Sequence, residues 1–508
     1  MTTNLWYKYF DNPSIFTESR KMSEKNEVFE KQHAKGKLHA IERLELLFDD
    51  GRYQELTDVE TRDGVICATG KAAGKQIVVA AQDFTYKGGS LGLQQGKNIA
   101  EAQDFAFKKK CPFIMINDSG GARIQEGVDA LAGYGEIFYR NVRASGVIPQ
   151  ISVITGPCAG GAVYSPGITD FIFMVKNIGQ MYITGPKVIK QVTGEEITAE
   201  ALGGYTAHME KSGVSHFGYY DEESCIKAVR YLISILPSNN RQKMLMMDKD
   251  AYKKTMPFDF ELPEEVNAAY DMHKIIENVF DDDSFMEVQP FFAKEIIVGF
   301  AKLYGMTVGV VANDPSSFAG VLDCDASDKA ARFIRFCDSF NIPVISLTDV
   351  PGYMPGSDQE YKGIIRHGAK LLYAFAEATV PKINVIVRKA FGGAYIAMNS
   401  KHLGSDVVLA WPSAQIAVMG EAGAVEILYA KQIKAMPEGD RAAFIKDKQD
   451  EYRKNVVGYK FALDREYVDA VIKPEETREK LYEAMMDCRR IKNLKHVRPI
   501  RKHGNIPL

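Results

Sequence analysis

The chain has 508 residues, 46% apolar and 10% aromatic, with 63 basic against 66 acidic side chains for a net charge of −3. That length accommodates roughly two to four domains with large cores, and the even charge balance supplies no basic field for nucleic acid. The longest apolar stretch, 296–312, is interrupted by Gly299, Lys302 and Gly305, so it reads as paired strands and not as a membrane span.

Taken in chain order, residues 1–37 are rich in charge and read as a helical arm over the surface. Charges spread through 1–21, with no apolar run between them, give no expectation of a secretory signal. KLHAIERLELLF (37–48) puts Leu38, Ile41, Leu44 and Phe48 on one stripe, the pattern of an amphipathic helix. Asp49-Asp50-Gly51 ends it. Val/Ile-rich runs at 76–81, 112–116, 150–154 and 171–175 predict strands buried on both faces. Helical patterns at 95–109 and 127–145 alternate with them, which argues an open α/β layer fold. The stretch 247–265 carries charge, Pro257 and Pro263 without apolar periodicity and predicts a boundary, with domains at 1–256 and 262–508. Beyond Pro437 the tail is charge-rich and helical, 438–455 reads as a solvated helix, and 498–504 is a basic end suited to surface salt bridges.

The chain repeats itself about 232 residues apart. FDDGRYQEL (48–56) returns as FDDDSFMEV (280–288), MINDSGG (115–121) as SLTDVPG (346–352), VIPQISVI (147–154) as TVPKINVI (379–386), and AGGAVY (159–164) as FGGAYI (391–396). The register holds within one residue over more than a hundred positions, so two copies of one α/β domain are predicted.

Each copy carries glycine turns after its buried strands. In GPCAGGAVYSP (156–166), Gly160 and Gly161 let backbone amides approach a ligand with no Cβ in the way. Amides at a helix start carry partial positive charge and form a ready oxyanion hole. A lone Gly-Gly turn can equally be a packing device at a crossover, but this one recurs at Gly392, Gly393 and Ala394, which favours the donor reading. NDSGGARIQEG (117–127) is a second loop, in which Gly120 and Gly121 are expected to expose amides. Arg123 is placed there to meet phosphate or carboxylate, or to pair with Glu126 or Asp118. TDVPGYMPGSDQEY (348–361) takes this place in the second copy, stiffened by Pro351 and Pro355. Gly120 to Gly161 and Gly352 to Gly393 both span 41 residues, so each copy brings two glycine loops to one end of its sheet, where α/β folds bind ligands.

The seven cysteines show no CxxC spacing and read as reduced core thiols of a cytoplasmic protein, with a catalytic Cys158 as the alternative. The nine histidines show no paired-ligand spacing, and no metal is predicted. There is no GxSxG, P-loop or dinucleotide fingerprint, and no lysine in the Met-Lys-Met setting of a biotin carrier. The parts stabilise an oxyanion without an evident nucleophile or base. Enolate chemistry with a base brought by a cofactor fits that set.

These motifs resemble the carboxyltransferase (beta) subunit of biotin-dependent acyl-CoA carboxylases, the propionyl-CoA carboxylase beta and methylmalonyl-CoA decarboxylase alpha type. The resemblance runs from KQHAKGKLHAIERLELLFDDG (31–51) to RKHGNIPL at the end, and is most specific in 117–166 and in SDKAARFIRFCDSFNIPV (327–344). It implies an α/β fold of two tandem crotonase-like domains and a homo-hexamer built as a trimer of dimers. The substrate would be a CoA thioester. Biotin would be the cofactor, carried as carboxybiotin on a biotin carboxyl carrier protein and loaded by biotin carboxylase. In such enzymes the ureido nitrogen takes the acyl α-proton and the enolate is carboxylated. By motif, Gly160 and Gly161 would hold the thioester enolate oxygen, and Gly393 and Ala394 the ureido oxygen. Ser119, Gly120, Gly121, Ala122 and Arg123 would bind the acyl-CoA with Ile396, and Gly352, Tyr353 and Pro355 the biotin. Two positions depart from the pattern. Asp314 stands where the family commonly has Gln. Ile396 stands where propionyl-preferring members carry Asp, so it is either a selector of acyl length or a core residue under the loop. Two other readings remain open on sequence: the alpha subunit of a sodium-pumping methylmalonyl-CoA decarboxylase in a membrane complex, and a non-catalytic acyl-CoA-binding scaffold of the same fold.

Overall fold

The computed structural model describes residues 27–242, 248–252, 257–492 and 502–505. Residues 1–26 of the arm expected at 1–37, residues 247 and 253–256 of the boundary segment and residues 498–501 of the basic end lie outside the described residues. The chain divides into two compact units, the first ending at Gln242.

The first unit is built on β1 (Tyr53–Glu55), β2 (Val65–Ala72), β3 (Lys75–Gln82), β4 (Phe113–Ser119), β5 (Gln150–Ala159), β6 (Phe171–Val175), β7 (Gln180–Tyr182) and β8 (Phe217–Tyr219). Their order in the sheet is β1-β2-β3-β4-β5-β6-β8, with β7 paired to β5. The first three strands are antiparallel and the others parallel. The second unit repeats this with β9 (Met286–Val288), β10 (Ile296–Leu303), β11 (Met306–Asn313), β12 (Val344–Val350), β13 (Lys382–Phe391), β14 (Val407–Ala410), β15 (Gln415–Ala417) and β16 (Ala470–Val471). Read from the other edge, its order is the same, with β15 on β13. The predicted strands and the hairpin at 296–312 are therefore present. Both hairpins close on two left-handed residues, Ala73-Gly74 and Tyr304-Gly305 (φ 49° and 76°; 48° and 78°), as two-residue turns between twisted strands require.

The central strands β4 and β12 are buried along their whole length, which explains why their apolar residues do not alternate with exposed polar ones. The amphipathic helix at 37–48 is shorter, Ala40–Leu47, and buries polar residues that its stripe did not include: Glu42 and Arg43. Arg43 is only 1% exposed. Lys37, expected on a surface arm, is also buried.

These cations answer a carboxylate at the end of β4. Lys37 Nζ donates to Asp118 at 2.6 Å and Arg43 Nη1 at 3.0 Å, while Arg43 Nε reaches Glu222 at 2.6 Å. Burial holds the Lys37 ammonium below its ordinary pKa, and the Asp118 charge opposes that shift. In the second unit the matching carboxylate, Asp349, accepts from Arg388 Nε at 2.9 Å, the Tyr270 hydroxyl at 2.8 Å and the Lys389 amide at 3.0 Å. Burial, followed by the Asp349 charge, pushes the Tyr270 phenol well up, so it stays a donor.

The cations come from different places for a legible reason. Arg388 lies on β13, and its counterpart by repeat offset on β5 is Gly156. A Cβ there would stand 1.9 Å from Asp118 Oδ1 and 2.7 Å from Lys37 Nζ. Lys37 thus occupies in the first unit the space that Arg388 occupies in the second.

Removing one partner of a buried pair leaves an uncompensated charge, at a cost of about 3–5 kcal/mol. Arg388→Met is therefore expected to lower the unfolding free energy of the second unit, read from urea denaturation, by that amount. A loss below about 1 kcal/mol would show Asp349 to be satisfied by Tyr270 and backbone alone.

Candidate active site

Between β4 and β5 the parallel register shifts: Asn117 pairs Ile154, but Ser119 pairs Cys158. The same bulge recurs in the second unit, Thr348 with Ile386 and then Val350 with Ala390. These bulges carry β5 and β13 past their neighbours into the two glycine turns. Gly160 and Gly392 have φ of 63° and 59°, a left-handed conformation that a side chain disfavours. Each opens a short helical segment, Gly160–Val163 and Gly392–Ala397. The first amides of such a segment have no intrahelical acceptor. Gly160 and Gly161, and Gly393 and Ala394, lie within these first positions.

The second loop is built differently from expectation. Gly120 and Gly121 were predicted to offer free amides, but Gly120 donates to the Gly88 carbonyl at 3.0 Å and Gly121 to Ser119 Oγ at 3.2 Å. The loop is tied down as a strand-like bridge: Leu91 donates to the Gly121 carbonyl and Arg123 to the Leu91 carbonyl, each at 2.9 Å. Ala122 sits in that bridge opposite Leu91. Of the alternatives for Arg123, the ion pair is the one present. Its Nη1 contacts Asp63 at 2.9 Å and Glu126 at 2.6 Å, and the side chain is 5% exposed. The second unit repeats the bridge, with Leu322 donating to Gly352 at 3.1 Å and Met354 to Leu322 at 2.8 Å, placing Tyr353 opposite Leu322. Pro355 follows on the exposed side of the turn.

Preceding each bridge is a feature sequence reading missed: three successive left-handed residues, Lys87-Gly88-Gly89 and Phe318-Ala319-Gly320. The last glycine of each passes close to the strand below. A Cβ on Gly89 would fall 2.1 Å from the Asp118 carbonyl, and one on Gly320 2.8 Å from that of Asp349. Phe318 and Ala319 carry no sequence signal for this conformation, which costs them of order 1 kcal/mol each.

Three remaining expectations resolve by burial and bonding. Cys158 has no exposed surface, and burial pushes its thiol up to about 12. Ile396 is 41% exposed, so the core-residue alternative fails. Asp314 caps a turn, accepting from the Met272 and Ser316 amides and from the Ser316 hydroxyl at 2.7 Å. It also groups with Asp271 and His273 in a metal-like cluster. Both His273 nitrogens, however, face carboxylates, Asp271 at 2.7 Å and Glu287 at 2.8 Å. The Glu287 hydrogen bond leads in raising this imidazole to about 9.

Among the described residues, neither carboxylate at the strand ends is free to act as a base. Asp118 and Asp349 are the carboxylates at the strand ends, and both are consumed by cations. What the two turns present is two sets of helix-start amides.

Similarity to known proteins extends over most of the chain. Residues 31–506 match the family model of the carboxyl transferase domain. The chain is 50% identical to methylmalonyl-CoA decarboxylase subunit alpha of Veillonella parvula, over 94% of this chain and 95% of that one. It is likewise 50% identical to a putative propionyl-CoA carboxylase beta chain of Bacillus subtilis, over 97% and 99%. The transcarboxylase 12S crystal structure, a hexamer with methylmalonyl-coenzyme A bound, superposes with a TM-score of 0.88 at 44% identity, covering 95% of each chain.

At pH 8 a thiol with a pKa of about 12 is ionised in only about one molecule in ten thousand. Native protein is therefore expected to leave Cys158 unalkylated by iodoacetamide over hours, as read by peptide mass spectrometry. Stoichiometric labelling within minutes would restore the catalytic-thiol alternative.

Proposed function

This chain belongs to the carboxyl transferase domain family, and on that premise we propose that it moves a carboxyl group between carboxybiotin and the α-carbon of a short-chain acyl-CoA. Propionyl-CoA and acetyl-CoA are the acceptors considered. The observation that carries this reading is the duplicated turn: two sets of helix-start amides, at Gly160–Gly161 and Gly393–Ala394, each following a strand-end carboxylate already paired with cations.

An acyl-CoA that loses its α-proton develops charge on the thioester oxygen. Amides fixed where that charge appears need no reorganisation, and each is worth roughly 2.7–4 kcal/mol in a dry site. Gly160 and Gly161 are the donors proposed for that oxygen. Gly393 and Ala394 are the donors proposed for the ureido oxygen of biotin. Room for a flat ring supports this assignment: a Cβ on Gly393 would meet only the Tyr353 ring, at 3.9 Å, and one on Gly352 or Gly356 would meet nothing within 4 Å. When bound, carboxybiotin would supply the carboxyl group and a ureido nitrogen to take the proton. The bridge at Ser119 to Arg123, held by the Asp63 and Glu126 ion pairs, would then act as a rigid wall of the acyl-CoA site and not as a set of donors.

The partners proposed are biotin carboxylase and a biotin carboxyl carrier protein, with assembly as a homo-hexamer. Self-association is supported by an apolar stripe left open on the helix Val128–Ala144, where Val128, Leu131, Tyr139 and Val142 are all more than half exposed. Among the described residues no helix is long and apolar enough to cross a membrane. A second reading, decarboxylation of methylmalonyl-CoA with a membrane partner, is supported by the similarity to the Veillonella parvula subunit. It uses the same amides in the reverse direction, and co-purification with biotin carboxylase or with a multi-span membrane subunit separates the two.

Purified alone, the chain is expected to exchange carboxyl groups slowly between methylmalonyl-CoA and free biotin without ATP, and to fix no bicarbonate with ATP. Gly161→Val and Gly393→Val should each lower that exchange by about 10²–10³. ATP-dependent carboxylation by the single chain, or full activity in either variant, would refute the proposal.

Acyl choice is expected to run through Ile396. One methylene in an apolar pocket is worth about 1–3 kcal/mol, so the wild type should accept both acetyl- and propionyl-CoA. Ile396→Asp places a charge beside the turn that must be solvated or paired, and should shift preference away from acetyl-CoA. An unchanged ratio of kcat/KM for the two substrates, in a folded and active variant, would remove Ile396 as a selector.

A further inference from the structure

The two glycine turns rest on aromatic rings that reach them from different elements. Under the first turn lies Tyr134, from the helix Val128–Ala144: a Cβ on Gly161 would stand 3.3 Å from Tyr134 Cδ2 and 3.5 Å from Cε2. Under the second lies Tyr353, from the loop: a Cβ on Gly393 would stand 3.9 Å from its Cε2 and 4.0 Å from its Cδ2.

The equivalences between units show a substitution. The helix Val128–Ala144 buries Ala130, Tyr134, Ile137 and Asn141, and the helix Ile364–Glu377 buries Ile364, Gly368, Leu371 and Phe375 in the same spacing. Tyr134 therefore corresponds to Gly368. The bridges Leu91–Ala122 and Leu322–Tyr353 make Ala122 the counterpart of Tyr353. Where the helix supplies the ring, the loop has alanine. Where the loop supplies it, the helix has glycine, and a Cβ on Gly368 would lie 2.9 Å from Tyr353 Cε1. One space under each turn is filled once, from one side or the other.

We propose that Tyr134 and Tyr353 are positioning residues whose rings set the amides of the Gly160–Gly161 and Gly392–Gly393 turns, and that helix and loop are interchangeable sources of that ring. The inference rests on the carboxyl-transfer reading of the turns. Tyr134 is 5% exposed and stacks on Phe138 at 5.8 Å, which in turn meets Tyr164, just after the turn, edge-on at 6.1 Å. The ring is thus held from behind and cannot drift from the turn. Its hydroxyl meets no acceptor in hydrogen-bonding geometry among the described residues, although Ser119 stands beside it. Ring and hydroxyl are therefore separable by mutation. Donors displaced by about 1 Å lose about a hundredfold in rate, and because they act on charge that develops in the transition state, the loss falls on kcat rather than KM.

The test is biotin–methylmalonyl-CoA exchange in the full-length protein, with assembly followed by gel filtration and folding by circular dichroism. Tyr134→Ala is expected to lower kcat at least about thirtyfold with KM for the CoA thioester changed less than about threefold, while Tyr134→Phe, which keeps the ring, retains most of the rate. Tyr134→Gly combined with Ala122→Tyr moves the ring to the loop, as in the second unit, and should recover at least a third of wild-type kcat. The inference is overturned if Tyr134→Ala is as active as wild type, if Tyr134→Phe is as impaired as Tyr134→Ala, or if the double variant is inactive or unfolded. A Tyr134→Gly protein that fails to fold while the double variant folds and turns over supports it. A wild type silent in exchange overturns the functional reading and this inference with it, whereas an active wild type with insensitive variants overturns this inference alone.

Discussion

A buried carboxylate at the end of each central strand constrains the rest of the molecule. Asp118 and Asp349 have 1% and 0% exposure, and a charge so placed must be paired and hydrogen-bonded or it destabilises the fold. Each is approached from every side. The backbone amide of Asp118 donates to Gln82, and that of Asp349 to Asn313, the matching residue of the neighbouring strand. In the first unit the need for cations draws in Lys37 and Arg43, which fixes the segment before β1 against the strand ends. In the second it is met by Arg388 from within the sheet. Immediately after each aspartate come the loops that face the glycine turns, so the pairs that satisfy the charge also set where those loops begin.

The duplication makes the physical demands readable, because each was met twice with different residues. Gly156 and Arg388 show that the space beside the carboxylate holds one cation, delivered by a strand or by a distant segment. Tyr134 with Ala122, and Gly368 with Tyr353, show the same for a ring beneath the turn. Close packing explains both exchanges: an interior without voids allows one occupant per space, so adding a side chain from one element requires removing it from the other. The left-handed triplet at 87–89 is retained at 318–320 even though the second copy has glycine at only one of the three positions, which indicates that the close approach of Gly89 and Gly320 to the strand end outweighs the strain.

The chemistry follows from what these arrangements consume. The carboxylates are paired, Cys158 is a neutral buried thiol, and Arg123 is held by two acids. Amide dipoles remain, fixed by the bulged strands that carry them. On the proposed reading, such a site would stabilise developing negative charge and leave proton abstraction to the group brought into it.

The sequence alone determined the duplication, the parallel α/β class, the central strands and the two glycine turns. Each of these is local: an apolar run buried on both faces, or a glycine needed for one backbone conformation, is written in adjacent residues. The repeated Asp at 118 and 349 was also visible in register, but its meaning was not. Pairing Lys37, Arg43 and Glu222 with Asp118 joins residues far apart in the chain, and a buried arginine on an amphipathic helix looks in sequence like a solvated one. The glycines of NDSGGA looked like free donors because a sequence does not show which carbonyls lie opposite. Only the tertiary structure, by bringing Gly88 and Leu91 against that loop, decided that its amides were already bonded, and set the Gly160 and Gly392 turns at the starts of helical segments.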